Sequence, residues 1–589
     1  MKLKSLSVDN FRALRGKRNK IEFSDSNIIF IFGKNNIGKS SFLHAYKYFT
    51  SPSQSASITD FYEQNDKNII TIEAVFIKEA GDDENFKAKG LDKWVSATGE
   101  VRFRKTWSTV GQACVKETFD PIENSYVTGG FGGLETILTN ATPDIIYIEA
   151  MPNVKDLTDW IEKEIKNKLL KKLQENHADE YQEALASIKK LQEKVEGEGY
   201  LGTIKDGANK YFNKTFPDLE LNICATPYKE ADLSKSFEKD FSITIGKKPD
   251  ENQPDRDEEL LAQAIGELET LNSEQQSSNR KFDLHGHGLI RQAIINILGM
   301  FRDTKEDRKH VILFEEPELY LHPSNKRKFR DTLYSIAEQD NYQIICVSHD
   351  PQLIDLRRQH TSLARLVKLE NDETVIYQAG DNVFSKDDET KNKILMLNRF
   401  NPHICEVFFS DEVILVEGDT EAIVLRELLE KHYPQKEIFV LNTATKNNIP
   451  FFINILSHFK IKQHIIHDSD ERYLYDNGKI MLTKEPPQAP RKNSAWTLNK
   501  TIWDAMCSAN EEQELSSRYV SIRNFEDVHS YKHDSVKGKP FSAYEYATKI
   551  DFSDDAISIV KQLKQIVGDL EVEYRFTPDE LEGLVKEPH

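Results

Sequence analysis

The stretch Ile28-Ile29-Phe30-Ile31-Phe32-Gly33-Lys34-Asn35-Asn36-Ile37-Gly38-Lys39-Ser40 restricts the fold of this chain more than any other. Its unbroken apolar run suits a strand buried on both faces, and Ser41-Phe42-Leu43-His44-Ala45-Tyr46 opens a helix. Between them the text fits G-x-x-x-x-G-K-[ST], a phosphate loop that needs a strand before it and a helix after it. The glycines let backbone N–H groups wrap phosphates, Lys39 reaches the outer phosphate oxygens, and Ser40 is placed to hold Mg²⁺ at the helix start. Gly33, Asn35, Asn36, Gly38, Lys39, Ser40 and Ser41 form the candidate nucleotide set. The expected class is α/β.

A second apolar run, Val311-Ile312-Leu313-Phe314, ends in Glu315-Glu316-Pro317-Glu318. Acids that begin where a strand stops suit a nucleotide site: Glu315 for the Mg²⁺ shell and Glu316 to polarise an attacking water. The strand-like Ile344-Ile345-Cys346-Val347 ends in Ser348-His349, and His349 is a candidate sensor of the γ-phosphate. Leu284-His285-Gly286-His287-Gly288-Leu289-Ile290 places two glycines ahead of a helix, where free N–H groups can meet a phosphate.

Further on, Val413-Ile414-Leu415-Val416 ends in Glu417-Gly418-Asp419, with Glu421 close behind. His464-Ile465-Ile466-His467 ends in Asp468-Ser469-Asp470. Carboxylates collected at the end of buried strands are hard oxygen ligands for Mg²⁺. Glu417 and Glu421 lie about one helical turn apart, and alternation predicts Asp468 and Asp470 on one side of the sheet edge. One or two ions held there would suit phosphodiester cleavage. Lys446, between the two runs, reads more readily as an ordinary exposed lysine than as a phosphate contact.

At 589 residues the chain has room for two or more domains, and its net charge of −19 argues against a surface coated in basic residues. Five scattered cysteines, no apolar run long enough for a bilayer and a polar N-terminus suit a reducing cytoplasm and no membrane. Alternating segments over 68–150 predict antiparallel strands, and Ile161, Ile165, Leu169 and Leu173 fall at helical spacing. The expected layout is 1–154 and 216–390 for the two parts of the nucleotide domain, 155–215 for a helical hairpin, a candidate dimerisation arm, and 391–589 for the carboxylate domain.

The phosphate loop, Asn10-Phe11-Arg12 and the run EEPELYLHP together resemble the ABC-type ATPases of the recombination and structural-maintenance group. That resemblance implies paired heads, hence a homodimer or homotetramer; the segment at 284–292 lacks the group's usual Leu-Ser-Gly-Gly text. Glu417, Asp468 and Asp470, with Glu421, resemble the Toprim fold. The combination over almost the whole chain resembles the overcoming-lysogenisation-defect nucleases, of the Gabija- or retron-associated anti-phage type. The resemblance implies ATP, Mg²⁺ or Mn²⁺, a DNA substrate that is nicked or cut through, and a partner protein or retron component. It also assigns Glu526 to a second metal position and Lys539 to transition-state stabilisation. A structural or signalling ATPase with a non-catalytic Toprim scaffold, or a topoisomerase with a tyrosine nucleophile, are the alternative readings.

Overall fold

A computed structural model describes residues 1–129, 141–150, 200–225, 241–247, 280–281, 289–290, 293, 309–380 and 404–584, apart from 53, 89, 357, 359, 478, 485–487 and 573–575. The N-terminal half has two six-stranded sheets with a helix between them, and a small antiparallel sheet of Leu219–Ala225, Phe241–Lys247 and Arg280–Lys281. Ile28–Phe32 is buried at every position because it lies inside a parallel sheet with neighbours on both sides and helices on its faces. That sheet runs in the order Thr374–Gln378, Leu363–Lys368, Ile28–Phe32, Tyr342–Val347, His310–Glu315, Asp144–Ile148, and only its Thr374–Gln378 edge is antiparallel.

The second sheet is antiparallel and contains Lys2–Asp9, Ile70–Ile77 and Glu100–Trp107 at its centre. These strands alternate because one face packs inward: Leu6, Val8, Ile70, Ile72 and Ala74 are fully buried while their sequence neighbours are less so. Helix Lys39–Thr50 lies between the sheets, with Phe42, Leu43, Ala45, Tyr46 and Phe49 in one core with Leu6, Ile31 and Leu313. The opposite face of the parallel sheet is covered by Pro323–Ala337 and by Tyr200–Thr215, whose Ala208 and Phe212 join Ile312, Phe314 and Ile344. The last part of the region expected to form an arm therefore packs into the ATPase body. The helical spacing at 161–195 and the two glycines at 286 and 288 lie outside the described residues.

Residues 404–584 hold a four-stranded parallel sheet in the order Ile438–Asn442, Glu412–Val416, Lys462–Asp468, Ser516–Ser521. Helices Ile449–His458 and Ser494–Ala509 cover one face, and Asp419–His432, Lys539–Lys549 and Ser558–Val567 the other. Parallel strands put all their carboxyl ends at one edge, where open α/β sheets bind ligands.

The two halves share a core. Phe32, the residue before the phosphate loop, packs its ring against Phe408, Phe409 and Phe459 at centroid distances of 5.9, 5.8 and 5.3 Å. Ile354, Leu356 and Leu363 join the same cluster as Val413, Leu415 and Ile465. Replacing Phe32 with Ala should cost about 3–5 kcal/mol, the range for a buried aromatic. Both halves should lose stability together in urea unfolding followed by tryptophan fluorescence and by circular dichroism. Two separated transitions, with only one of them moved, would contradict this packing. Among the described residues no helix is long and apolar enough to cross a membrane.

Candidate functional site

The phosphate loop leaves Phe32 through Gly33 at φ 145° and enters its helix through Gly38 at φ 107°. A side chain at Gly33 would place its Cβ 2.4 Å from the Leu366 carbonyl oxygen, so only glycine fits. Lys39 is 4% exposed and donates from Nζ to the carbonyl oxygens of Gly33 at 2.8 Å and Lys34 at 2.5 Å. Burial draws its pKa down to about 8, against the opposing pull of Glu316 and Glu318. Ser40 and Ser41 open the helix and Asn35 and Asn36 are exposed on the loop, as the pattern predicts.

Glu315 ends its strand and accepts from the Tyr147 hydroxyl at 2.7 Å and from the Ala150 N–H at 3.3 Å, with His44 Nε2 3.6 Å away. Glu316 adopts φ 41° and stands 3.5 Å from His349 Nε2. Burial, then the Lys39 charge, holds the His349 pKa down to about 4, so its ring is neutral near pH 7. Glu316, His349 and Lys39 thus share one region, and Glu315 lies against Tyr147, Ala150 and His44. Sequence reasoning passed over Glu318. It is buried, accepts from Ser348 Oγ at 3.0 Å and the His349 N–H at 2.9 Å, and so fixes the histidine loop; its signal was the third acid of the same run.

At the carboxyl edge of the second sheet lies a cavity of about 520 Å³ lined by Glu417, Asp419, Glu421, Lys446, Asp468, Glu526 and Lys539. Glu417 follows its strand and accepts from the Asp468 N–H at 2.8 Å, which ties the two strand ends together. Glu421 lies in the first turn of Asp419–His432, with Oε2 only 3.2 Å from where a Cβ on Gly418 would sit. Glu526 comes from the short helix Phe525–His529, and Lys539 opens Lys539–Lys549.

Burial raises Glu417 to about 7, partly offset by the Lys446 ammonium. Asp468 is raised to about 9 by burial and then by Glu417, Glu421, Asp470 and Glu526. Burial also raises Glu421, with Glu526 and Asp419 adding repulsion and Lys539 offsetting it. Hard oxygen donors that repel one another in a buried place fit a divalent cation. As the side chains stand, no group of three or more His, Cys, Asp or Glu among the described residues is arranged to hold a metal ion. The cavity has room for an ion that keeps some of its water.

Two expectations change. The strand ends at Asp468, so alternation no longer governs Asp470, which turns at φ 59° and gives its N–H to the Arg523 carbonyl. Its carboxylate reaches Lys446 Nζ at 2.6 Å, and its charge still acts on Asp468 and Glu417. Lys446 is the other correction: it is 5% exposed, not an ordinary surface lysine, and also donates to the Asp468 carbonyl oxygen at 2.5 Å. Lys446→Met should therefore free Asp470 and loosen the Asp468 turn. Mn²⁺ affinity by calorimetry should fall about tenfold or more, as for lost partners of metal ligands. Unchanged Mn²⁺ binding would mean that this ammonium does not shape the site.

Fold and site together define a phosphate-loop ATPase joined to a Toprim domain. Residues 1–283 and 116–354 match the AAA ATPase domain, and residues 408–470 match the family described as overcoming lysogenization defect protein-like, Toprim domain. The chain belongs to the AAA ATPase domain family and carries a Toprim domain of the overcoming-lysogenization-defect type. It is similar to the Old nuclease of Escherichia phage P2, 24% identical over 98% of this chain and 93% of that protein. The OLD nuclease of Thermus scotoductus is 30% identical over 31% of this chain and 35% of its own length. Endonuclease GajA of Bacillus cereus is 22% identical over 74% and 69%. Among solved structures, an Smc head bound to the C-terminal winged-helix domain of ScpA covers 65% of this chain and 98% of its own, with 13% identity and a TM-score of 0.40.

Proposed function

We propose that this chain is an ATP-regulated, divalent-metal-dependent DNA endonuclease of bacterial anti-phage defence. The observation that carries the reading is the single cavity in which Glu417, Glu421, Asp468 and Glu526 meet Lys539 at the carboxyl edge of a parallel sheet. Nuclease relatives similar along most of the chain support it. Glu417, Glu421, Asp468 and Glu526 would hold Mg²⁺ or Mn²⁺, which when bound supplies Lewis-acid stabilisation of phosphate oxygens and a more acidic water.

The chain's own groups do the rest. Lys539, exposed at a helix start, offers its ammonium and the helix N–H groups to a phosphate. Lys446 holds the Asp468–Asp470 turn, and the Asp468 N–H orients Glu417. In the other domain Lys39, Ser40 and Glu315 bind ATP, Glu316 orients water, and the neutral His349 faces the same space.

Supercoiled plasmid incubated with Mg²⁺ or Mn²⁺, across a series of ATP concentrations, tests this. The wild type should nick or cut, and Glu417→Ala should lower the rate about a thousandfold or more. Nicking that survives Glu417→Ala would remove the reaction from this cavity. A wild type that binds DNA without breaking it would favour the scaffold reading, and a covalent protein–DNA adduct the topoisomerase reading.

A further inference from the structure

Three of the four parallel strands in the Toprim domain are gripped at their starting ends by the ATPase domain, and those strands end in the cavity. Lys34, the second residue of the phosphate loop, places its ammonium 2.7 Å from Asp411 and 2.9 Å from Glu437. Those acids immediately precede strands Glu412–Val416 and Ile438–Asn442. The first strand leads to Glu417, and the second leads through a short turn to Lys446. Arg365, on the strand beside Ile28–Phe32, donates to Asp411 at 2.6 Å and to the carbonyls of Ser410 and Phe459, both at 2.9 Å. Phe459 leads into Lys462–Asp468, which ends in Asp468.

The two cations differ in strength. Arg365 is 2% exposed and holds three oxygens, so its contacts are persistent. Lys34 is 44% exposed and Glu437 82% exposed, and ion pairs of that kind are weak. Lys34 also sits where it can feel a bound nucleotide. Its carbonyl accepts from Lys39 Nζ, an ammonium that phosphate loops direct to the outer phosphates. A triphosphate that drew Lys39 outward would loosen its bond to the Lys34 carbonyl and bring negative charge to the residue whose ammonium pairs with Asp411 and Glu437.

We propose that Arg365 and Lys34 are positioning residues of the carboxylate site. Arg365 is the fixed pivot, and Lys34 is the releasable latch through which nucleotide in the loop is felt at Glu417 and Lys446. This rests on the reading of the cavity as the reacting site, and on the loop as the nucleotide site.

Amide hydrogen exchange on the full chain, with and without a non-hydrolysable ATP analogue and with no DNA present, reads the latch without reading cleavage. Nucleotide should speed exchange over residues 411–417 and 437–446 and leave 516–521 unchanged. In Lys34→Met those segments should exchange at the fast rate without nucleotide and respond no further, whereas Lys34→Arg should keep the response. The combined Asp411→Asn, Glu437→Gln variant leaves the loop's own residues intact and removes its competitors. It should bind the analogue about three- to tenfold more tightly. An undiminished nucleotide response in Lys34→Met, or unchanged affinity in the combined variant, overturns the latch. Loss of plasmid cleavage alone bears on the function reading and not on this one.

Discussion

Asp468→Asn is expected to lower DNA cleavage about a thousandfold or more while making the metal-free protein more stable at alkaline pH. The first effect follows from removing a hard oxygen donor that lines the cavity. The second follows from linkage. Asp468 is raised from 3.8 to about 9 in the folded chain, so the folded state keeps a proton that the unfolded state sheds. Stability is then greatest below the unfolded value and falls as pH climbs towards the folded one. Glu417, raised from 4.5 to about 7, acts in the same direction over a narrower range. In metal-free buffer the wild type should lose stability between pH 5 and pH 9. An amide keeps the shape of Asp468 without the charge, and should gain about 1–3 kcal/mol at pH 8.5 by urea unfolding. Added Mn²⁺ should stabilise the wild type and leave Asp468→Asn nearly unmoved. A variant that is less stable than the wild type at pH 8.5 would show that the carboxylate is already well solvated or paired.

The second large effect is expected at Lys39. Lys39→Ala should weaken ATP binding at least about a hundredfold, since a charge-assisted contact to phosphate is lost from a buried position. It should also remove the cation whose charge now acts on both Glu316 and Glu318. Lys39→Arg should not rescue binding, because the guanidinium is too broad for a site closed by the Gly33 and Lys34 carbonyls. Titration with a fluorescent ATP analogue decides the matter. Binding within threefold of wild type would place the nucleotide elsewhere.

Much of the fold could be read from local pattern. Ile28–Phe32, His310–Glu315 and Glu412–Val416 are strands because apolar runs of that length, followed by glycine or acid, leave a buried strand nowhere else to end. The alternation at Ile70–Ile77 correctly implied an antiparallel sheet with one buried face. Lys446 was illegible because a single lysine after a threonine-rich turn has no periodicity; its burial comes from the Asp468–Asp470 turn beyond a helix. The orientation of Asp470 could not be taken from strand alternation, because the strand's last residue is Asp468. Glu526 and Lys539 carry little local signal and were found only by resemblance, yet both line the cavity with Glu417. Arg365 and Asp411, or Lys34 and Glu437, could not have been paired from sequence, since tertiary packing alone brings such distant positions together.

The common direction of the Toprim strands also separates two chemistries in space. Three of the four strands start at the ATPase domain and run towards the cavity, and five extended residues such as Glu412–Val416 span roughly 17 Å. ATP and a nucleic acid backbone are both polyanions that attract the same metal ions, and a shared pocket would let either displace the other. Here the length of a strand keeps Lys39 apart from Glu417 and Asp468, so a polyanion at one end would not compete directly for ligands at the other, and any influence between the ends has to travel through the strands.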